Sequence, residues 1–288
     1  MTHCRRAMSP LPVLSLLSAL ALVLLAGWPG APAHAQEQEQ EPEWLEGIGE
    51  NELVLIHGLG ADSTIWERIT PYLKNQFDLH VYELHGHGRT PALENPSLEN
   101  EVAALRQWIE EQGLYYPTLV GHGLGGMIAM RYTFDHPADV KRLVVIDAAP
   151  KQLATPEQKD DIARSLLEDY DRFVASRYVA ISPDEAVNER AVDMALRTDS
   201  ATFASLLLDS FDWDVSDEIS SQAVPMLVVG SQSFLPDAGY ERQYLTMYGF
   251  ADARALAFKR LEGTGHYCML EKPTYLGSVI AVWVKQSD

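Results

Sequence analysis

The stretch Thr118-Leu119-Val120-Gly121-His122-Gly123-Leu124-Gly125-Gly126-Met127 constrains this chain more than any other. A short aliphatic run ends in small residues, and an apolar helical pattern follows. Small-x-X-x-small at this spacing is the signature of a sharp strand-to-helix turn that lifts residue X into a pocket. Gly121 and Gly125 flank the turn, where backbone closes on backbone. X is ordinarily a nucleophile, usually serine; here it is Gly123. The sequence specifies a scaffold for nucleophilic catalysis and omits the attacking atom.

The rest of the chain alternates in kind. Leu53–Ile56, Leu143–Ile146 and Met226–Val229 are continuous apolar runs, as expected of strands buried on both faces of a parallel sheet. Further strands are expected at about His80–Leu84 and Ala255–Leu261. Between them lie amphipathic patterns. Asp62 or Ser63 is expected to cap one with Ile65, Trp66, Ile69 and Leu73 on its apolar face. Ser97 is placed to cap a second with Val102, Leu105, Trp108 and Ile109. A last one carries Tyr275, Leu276, Val279, Ile280 and Trp283. Residues 151–222 differ: Thr155-Pro156-Glu157-Gln158 and Ser182-Pro183-Asp184-Glu185 both fit a capping box with proline at the first helical position. This predicts a helical insertion, either a lid or extra core packing. The fold class is α/β, a mostly parallel sheet with helices on both faces.

The amino-terminal region has its own logic. Arg5 and Arg6 precede an apolar run from about Val13 to Gly27, and Ala33-His34-Ala35 follows, which predicts a signal peptide over residues 1–35. The competing reading is a membrane anchor, against which the run is shorter than the ~20 residues of a full span. Residues 36–51 then form an acidic tail and lead-in, and residues 52–288 the main domain. Cleavage would leave 253 residues with 41 acidic against 20 basic side chains, net −21. Such a surface disfavours nucleic acid, anionic membranes and polyanionic substrates, and no stable membrane insertion is expected after cleavage. Cys268 would be the sole remaining cysteine, so no internal disulfide is expected.

Five features occur in one order: His57-Gly58-x-Gly60 after a strand, Gly86-His87-Gly88-Arg89 after the next, the Gly121–Gly126 turn, the helical insertion, and a late Gly265-His266 followed by Leu270-Glu271-Lys272-Pro273. Together, across about residues 52–288, they resemble the α/β-hydrolase family, and within it small lid-bearing esterases, haloperoxidase-like enzymes and ring-cleavage hydrolases. The resemblance implies that Leu59 and Leu124 supply the backbone N–H groups of an oxyanion hole, which need no particular side chain. It implies that His266 is the general base, Gly123 the vacant nucleophile position and Ser233 the vacant acid position. The family's two-strand lead-in is short here, so the sheet is expected to lack a strand at that edge. Asp147, ending a neighbouring strand, is the candidate to orient His266, beside the plainer reading of a structural strand-end carboxylate. Asp237 is a weaker candidate. Cys268 is expected to be an ordinary buried thiol. His57, His85, His87, His122 and His266 converge at one sheet edge, but no carboxylate joins them at ligand spacing, so neither metal nor cofactor is expected.

Glycine offers no atom for covalent acyl transfer. The favoured expectation is an exported protein of this fold that binds a small apolar carbonyl-type ligand without forming an acyl-enzyme. The alternatives are an active hydrolase of small esters, using His266 and the oxyanion hole with water or a displaced nucleophile, and an interaction protein with a vestigial pocket. Whether the chain is an enzyme stays open, and no protein partner is named by the sequence.

Overall fold

The computed structural model describes residues 51–286. The expected signal peptide over 1–35 and the tail up to residue 50 lie outside the described residues. In chain order the elements are β1 (Glu52–Ile56), α1 (Thr70–Leu73), β2 (Asp78–Tyr82), α2 (Leu98–Glu111), β3 (Thr118–His122), α3 (Leu124–Asp135), β4 (Arg142–Ile146), α4 (Pro156–Glu168), α5 (Tyr170–Tyr178), α6 (Glu185–Arg197), α7 (Ser200–Phe211), β5 (Met226–Ser231), α8 (Glu241–Met247), β6 (Leu256–Leu261), α9 (Cys268–Glu271) and α10 (Pro273–Lys285). The strands form one sheet in the order β2-β1-β3-β4-β5-β6, and every neighbouring pair is parallel.

The apolar runs explain that arrangement. Alternate side chains of each central strand enter two separate cores. Leu53, Leu55, Val120, Val144, Leu227 and Val229 face one, with α1, α10 and much of the insertion. Val54, Ile56, Leu119, Val145 and Val228 face the other, with α2 and α3. Burial on both faces is what a continuous aliphatic strand requires. The insertion, α4 to α7, leaves the sheet after β4 and returns at β5. It packs as core, with Val174, Ala191 and Phe203 fully buried.

Local details depart from the sequence reading in three places. The amphipathic stretch after Gly60 is a 3-10 turn, Ser63–Trp66, followed by the separate short α1, because Pro71 lacks the amide a continuous helix needs. Its four expected apolar residues are nonetheless all buried. β2 covers Asp78–Tyr82 rather than His80–Leu84, since register with β1 runs from Glu52↔Asp78 to Ile56↔Tyr82. Helix α6 is capped by Asp184, whose carboxylate accepts from Ala186 N, and not by Ser182, whose hydroxyl accepts from Asp184 N one turn earlier. By contrast Ser97 and Thr155 cap α2 and α4, the latter as a complete capping box. Among the described residues β2 is an edge strand, with Val81 exposed.

Candidate active site

The turn from β3 into α3 sets the geometry. A Cβ on Gly121 would stand 2.3 Å from Gly125 O, and one on Gly125 would stand 2.3 Å from His57 O. Both positions must be glycine for the strand end and helix start to nest. Gly123 sits at the tip with φ 52° and ψ −120°, its N–H donating to Ile146 O at 2.9 Å. A Cβ placed there would lie 3.2 Å from His266 Nε2 and 3.7 Å from Gly58 Cα. The side-chain direction at the tip thus points at the imidazole, and the residue supplies no atom to fill it.

His266 is fixed on three sides. Its N–H donates to Ile181 O at 3.0 Å, and its carbonyl accepts from His122 Nε2 at 2.9 Å. Its Nδ1 lies 3.1 Å from Asp147 Oδ2. A carboxylate only accepts, so Nδ1 carries the proton and Nε2 presents its lone pair to the turn. Asp147 is buried and holds a left-handed backbone, φ 47°. Its two oxygens accept from Ser231 N and Ser231 Oγ, both at 2.6 Å. Ser231 ends β5 beside the end of β4, so adjacent parallel strands bring the pair together. Ser233 lies past β5, exposed, on the rim of a neighbouring cavity. The carboxylate that reaches His266 therefore comes from Asp147, one strand over from the Ser233 position.

Leu59 and Leu124 border the same cavity as Gly123 and His266. Neither of their N–H groups donates to an acceptor among the described residues. That of Leu124 is left open because it opens α3, where first-turn amides lack helical partners. The Leu59 loop is pinned from the insertion by Tyr178, whose hydroxyl donates to Leu59 O at 2.8 Å. Burial pushes that phenol up to about 12, so it stays protonated as a donor. The cavity encloses about 160 Å3, and Met127, Ile181, Leu207 and Phe211 give it apolar walls. A second hollow of about 310 Å3 shares Asp147, Ala148, Gln152 and His266 with it. The most spacious hollow described, about 710 Å3 between β6 and α10, holds none of these residues.

The other histidines tie loops together. His57 Nε2 accepts from Leu84 N and its Nδ1 donates to Gly58 O. His87 Nε2 accepts from Gly60 N and its Nδ1 donates to His85 O. Both nitrogens of each ring are used by backbone, so neither is available as a ligand. Burial pushes all of His57, His87 and His122 down, His87 to about 4. His85 goes the other way, raised chiefly by its hydrogen bond to buried Glu101. Among the described residues no three His, Cys, Asp or Glu side chains form a metal-holding group. Burial also holds the Cys268 thiol protonated, well above its ordinary value. Asp237 bonds Tyr244, away from this cluster.

Ser231 and Tyr178 were not singled out in the sequence. Ser231 gave a faint signal as the last residue of an aliphatic strand; Tyr178 gave none beyond helical spacing.

Comparison with known proteins gives a consistent answer. The model of the alpha/beta hydrolase family matches residues 53–276. A pimeloyl-acyl-carrier-protein methyl ester esterase of Klebsiella pneumoniae is 33% identical over 147 residues, 48% of this chain, and the match spans about half (55%) of that relative's length. The corresponding esterase of Aromatoleum aromaticum is 28% identical over 244 residues, 77% of this chain and 93% of its own. Among solved structures, an esterase from Exiguobacterium antarcticum superposes with TM-score 0.72 at 17% identity, covering 82% of this chain and 92% of that one. An enol-lactonase from Burkholderia xenovorans does so with TM-score 0.72 at 17% identity, covering 82% and 92%. At that identity the structural likeness speaks to fold alone.

Proposed function

The chain belongs to the alpha/beta hydrolase family and is related to esterases, and from that premise we propose that it binds a small apolar carbonyl-type ligand without forming a covalent acyl-enzyme. One observation carries this reading: the tip of the turn is Gly123, while the imidazole of His266 stands 3.2 Å from where its Cβ would be. In this reading the ligand's carbonyl oxygen accepts from Leu59 N–H and Leu124 N–H, and its apolar part lies against Met127, Leu207 and Phe211. Carbonyl carbon then faces His266 with no hydroxyl or thiol at the tip of the turn to attack it, and the two hydroxyls on the cavity wall, of Tyr178 and Ser210, are spent on Leu59 O and Leu207 O. The esterase activity named for the relatives supports an ester-like carbonyl as the group recognised. The charged leader pattern around Arg5, Arg6 and Ala33-His34-Ala35 supports an exported protein, whose purified form would begin at Gln36.

The His266–Asp147 bond supports a second reading, slow hydrolysis of small esters. His266 Nε2 would take a proton from water, hydroxide would add to the carbonyl, and the oxyanion would rest on the two amides. Collapse would expel the alcohol, which takes the proton back from His266. The test is hydrolysis of short-chain aryl esters by the wild type, His266→Ala and Gly123→Ser. The first reading expects no wild-type turnover, together with a small molecule co-purifying in the cavity. Wild-type turnover abolished by His266→Ala would overturn it in favour of the second.

A further inference from the structure

We infer that the ligand carries an anionic group, held at the cavity by the guanidinium of Arg177; this rests on the carbonyl-ligand reading above. Arg177 lies in the last turn of α5 and lines the cavity with Gly123, Leu59 and His266. It has no hydrogen bond or ion pair among the described residues. Of the other arginines of the insertion, Arg164 sits against Asp161, Arg190 against Glu67 and Arg197 against Asp62, while Arg172, whose side chain is likewise unpartnered among the described residues, does not line the cavity. Lys151, which borders the second hollow, lies beside the Asp214 carboxylate.

What sets Arg177 apart from other arginines unpartnered among the described residues, such as Arg172 and Arg254, is its place on the cavity wall. The chain has 41 acidic and 22 basic side chains, net −19, so carboxylates are abundant. A guanidinium is a planar fork that matches a carboxylate with two parallel hydrogen bonds. The long-range field of the acidic surface opposes an anion, but salt screens it beyond about 8 Å at physiological strength, whereas a direct contact is screened far less. The apolar walls would hold the body of the ligand between two polar ends, the amides of Leu59 and Leu124 for its carbonyl and Arg177 for its charge. A short dicarboxylic acid monoester has this chemistry and suits about 160 Å3.

The test uses the intact protein with monomethyl glutarate and dimethyl glutarate, which differ by one charge. Calorimetric titration is run on the wild type, Arg177→Gln and Arg177→Lys. Arg177 is exposed and unpartnered among the described residues, so both variants are expected to fold, with circular dichroism as the check. The expected result is about tenfold tighter wild-type binding of the monoester, a preference lost in Arg177→Gln and partly kept in Arg177→Lys. Equal wild-type affinity for both esters, or a preference that survives in Arg177→Gln, overturns the anion inference and leaves the carbonyl-ligand reading standing. Binding of neither ester overturns both. Methanol release overturns the non-covalent reading alone, and the charge preference is then read from the two initial rates.

Discussion

Placing a side chain on Gly123 tests the turn directly. The backbone there, φ 52° and ψ −120°, is one that L residues rarely adopt, and holding a non-glycine residue in such a region costs on the order of 1–3 kcal/mol. Alanine would add a methyl 3.2 Å from His266 Nε2, a contact the half-buried ring relieves by a small shift. Against this, replacing glycine restricts the unfolded chain and returns roughly 0.4–1 kcal/mol. Gly123→Ala should therefore lose about 1–2 kcal/mol net. For a domain of this size that lowers the unfolding midpoint by roughly 2–8 °C, at about 2–4 °C per kcal/mol. Serine carries the same strain, but its hydroxyl reaches the Nε2 lone pair, and such a bond is worth about 1 kcal/mol. The midpoints should rank wild type, then Gly123→Ser, then Gly123→Ala, by thermal circular dichroism. Repeating the pair in a His266→Ala background should erase the serine–alanine gap. An unchanged or raised midpoint for Gly123→Ala would refute the strained turn. A gap that persists without His266 would refute the alignment of turn and imidazole.

Three further outcomes follow from the same geometry. Gly123→Ser should gain at least about 100-fold in aryl ester turnover, with labelling of the new serine by a fluorophosphonate probe, as a base-activated nucleophile would; absence of both would mean that base and hole do not face each other. Ser231→Ala removes one of the three groups donating to buried Asp147 and should cost about 1–3 kcal/mol by urea denaturation, and in the Gly123→Ser background at least about tenfold in turnover; full retention of both would make Ser231 incidental. His87 is pushed by burial from 6.5 to about 4, so its neutral form contributes stability that is fully present above about pH 6.5 and is lost as pH falls toward 4. That contribution is on the order of 3 kcal/mol. His87→Gln should flatten the fall in urea midpoint between pH 7 and 4.5, and an equally steep fall would refute the assignment.

The strands, the turn and the insertion were legible in the sequence because each rests on local pattern. Aliphatic runs such as Leu143–Ile146 suit only a strand buried on both faces, and the spacing of Gly121, Gly123 and Gly125 suits only a tight strand-to-helix bend. Local pattern misled where neighbours competed. Pro71 cut one helix, and Asp184 displaced Ser182 as a cap.

By itself, then, the chain determined its alternating architecture and the absence of an attacking atom at Gly123, since both are written in residue identity and short-range spacing. Only the tertiary structure decided which carboxylate meets His266. Asp147 and His266 are 119 positions apart, and what joins them is the parallel pairing of β4 with β5 and the return of the last loop over the sheet edge. The same is true of Arg177, an ordinary residue at the end of a helix until packing of the insertion turns it toward the cavity. Contacts between distant segments depend on how whole elements pack, and no window of sequence carries that information.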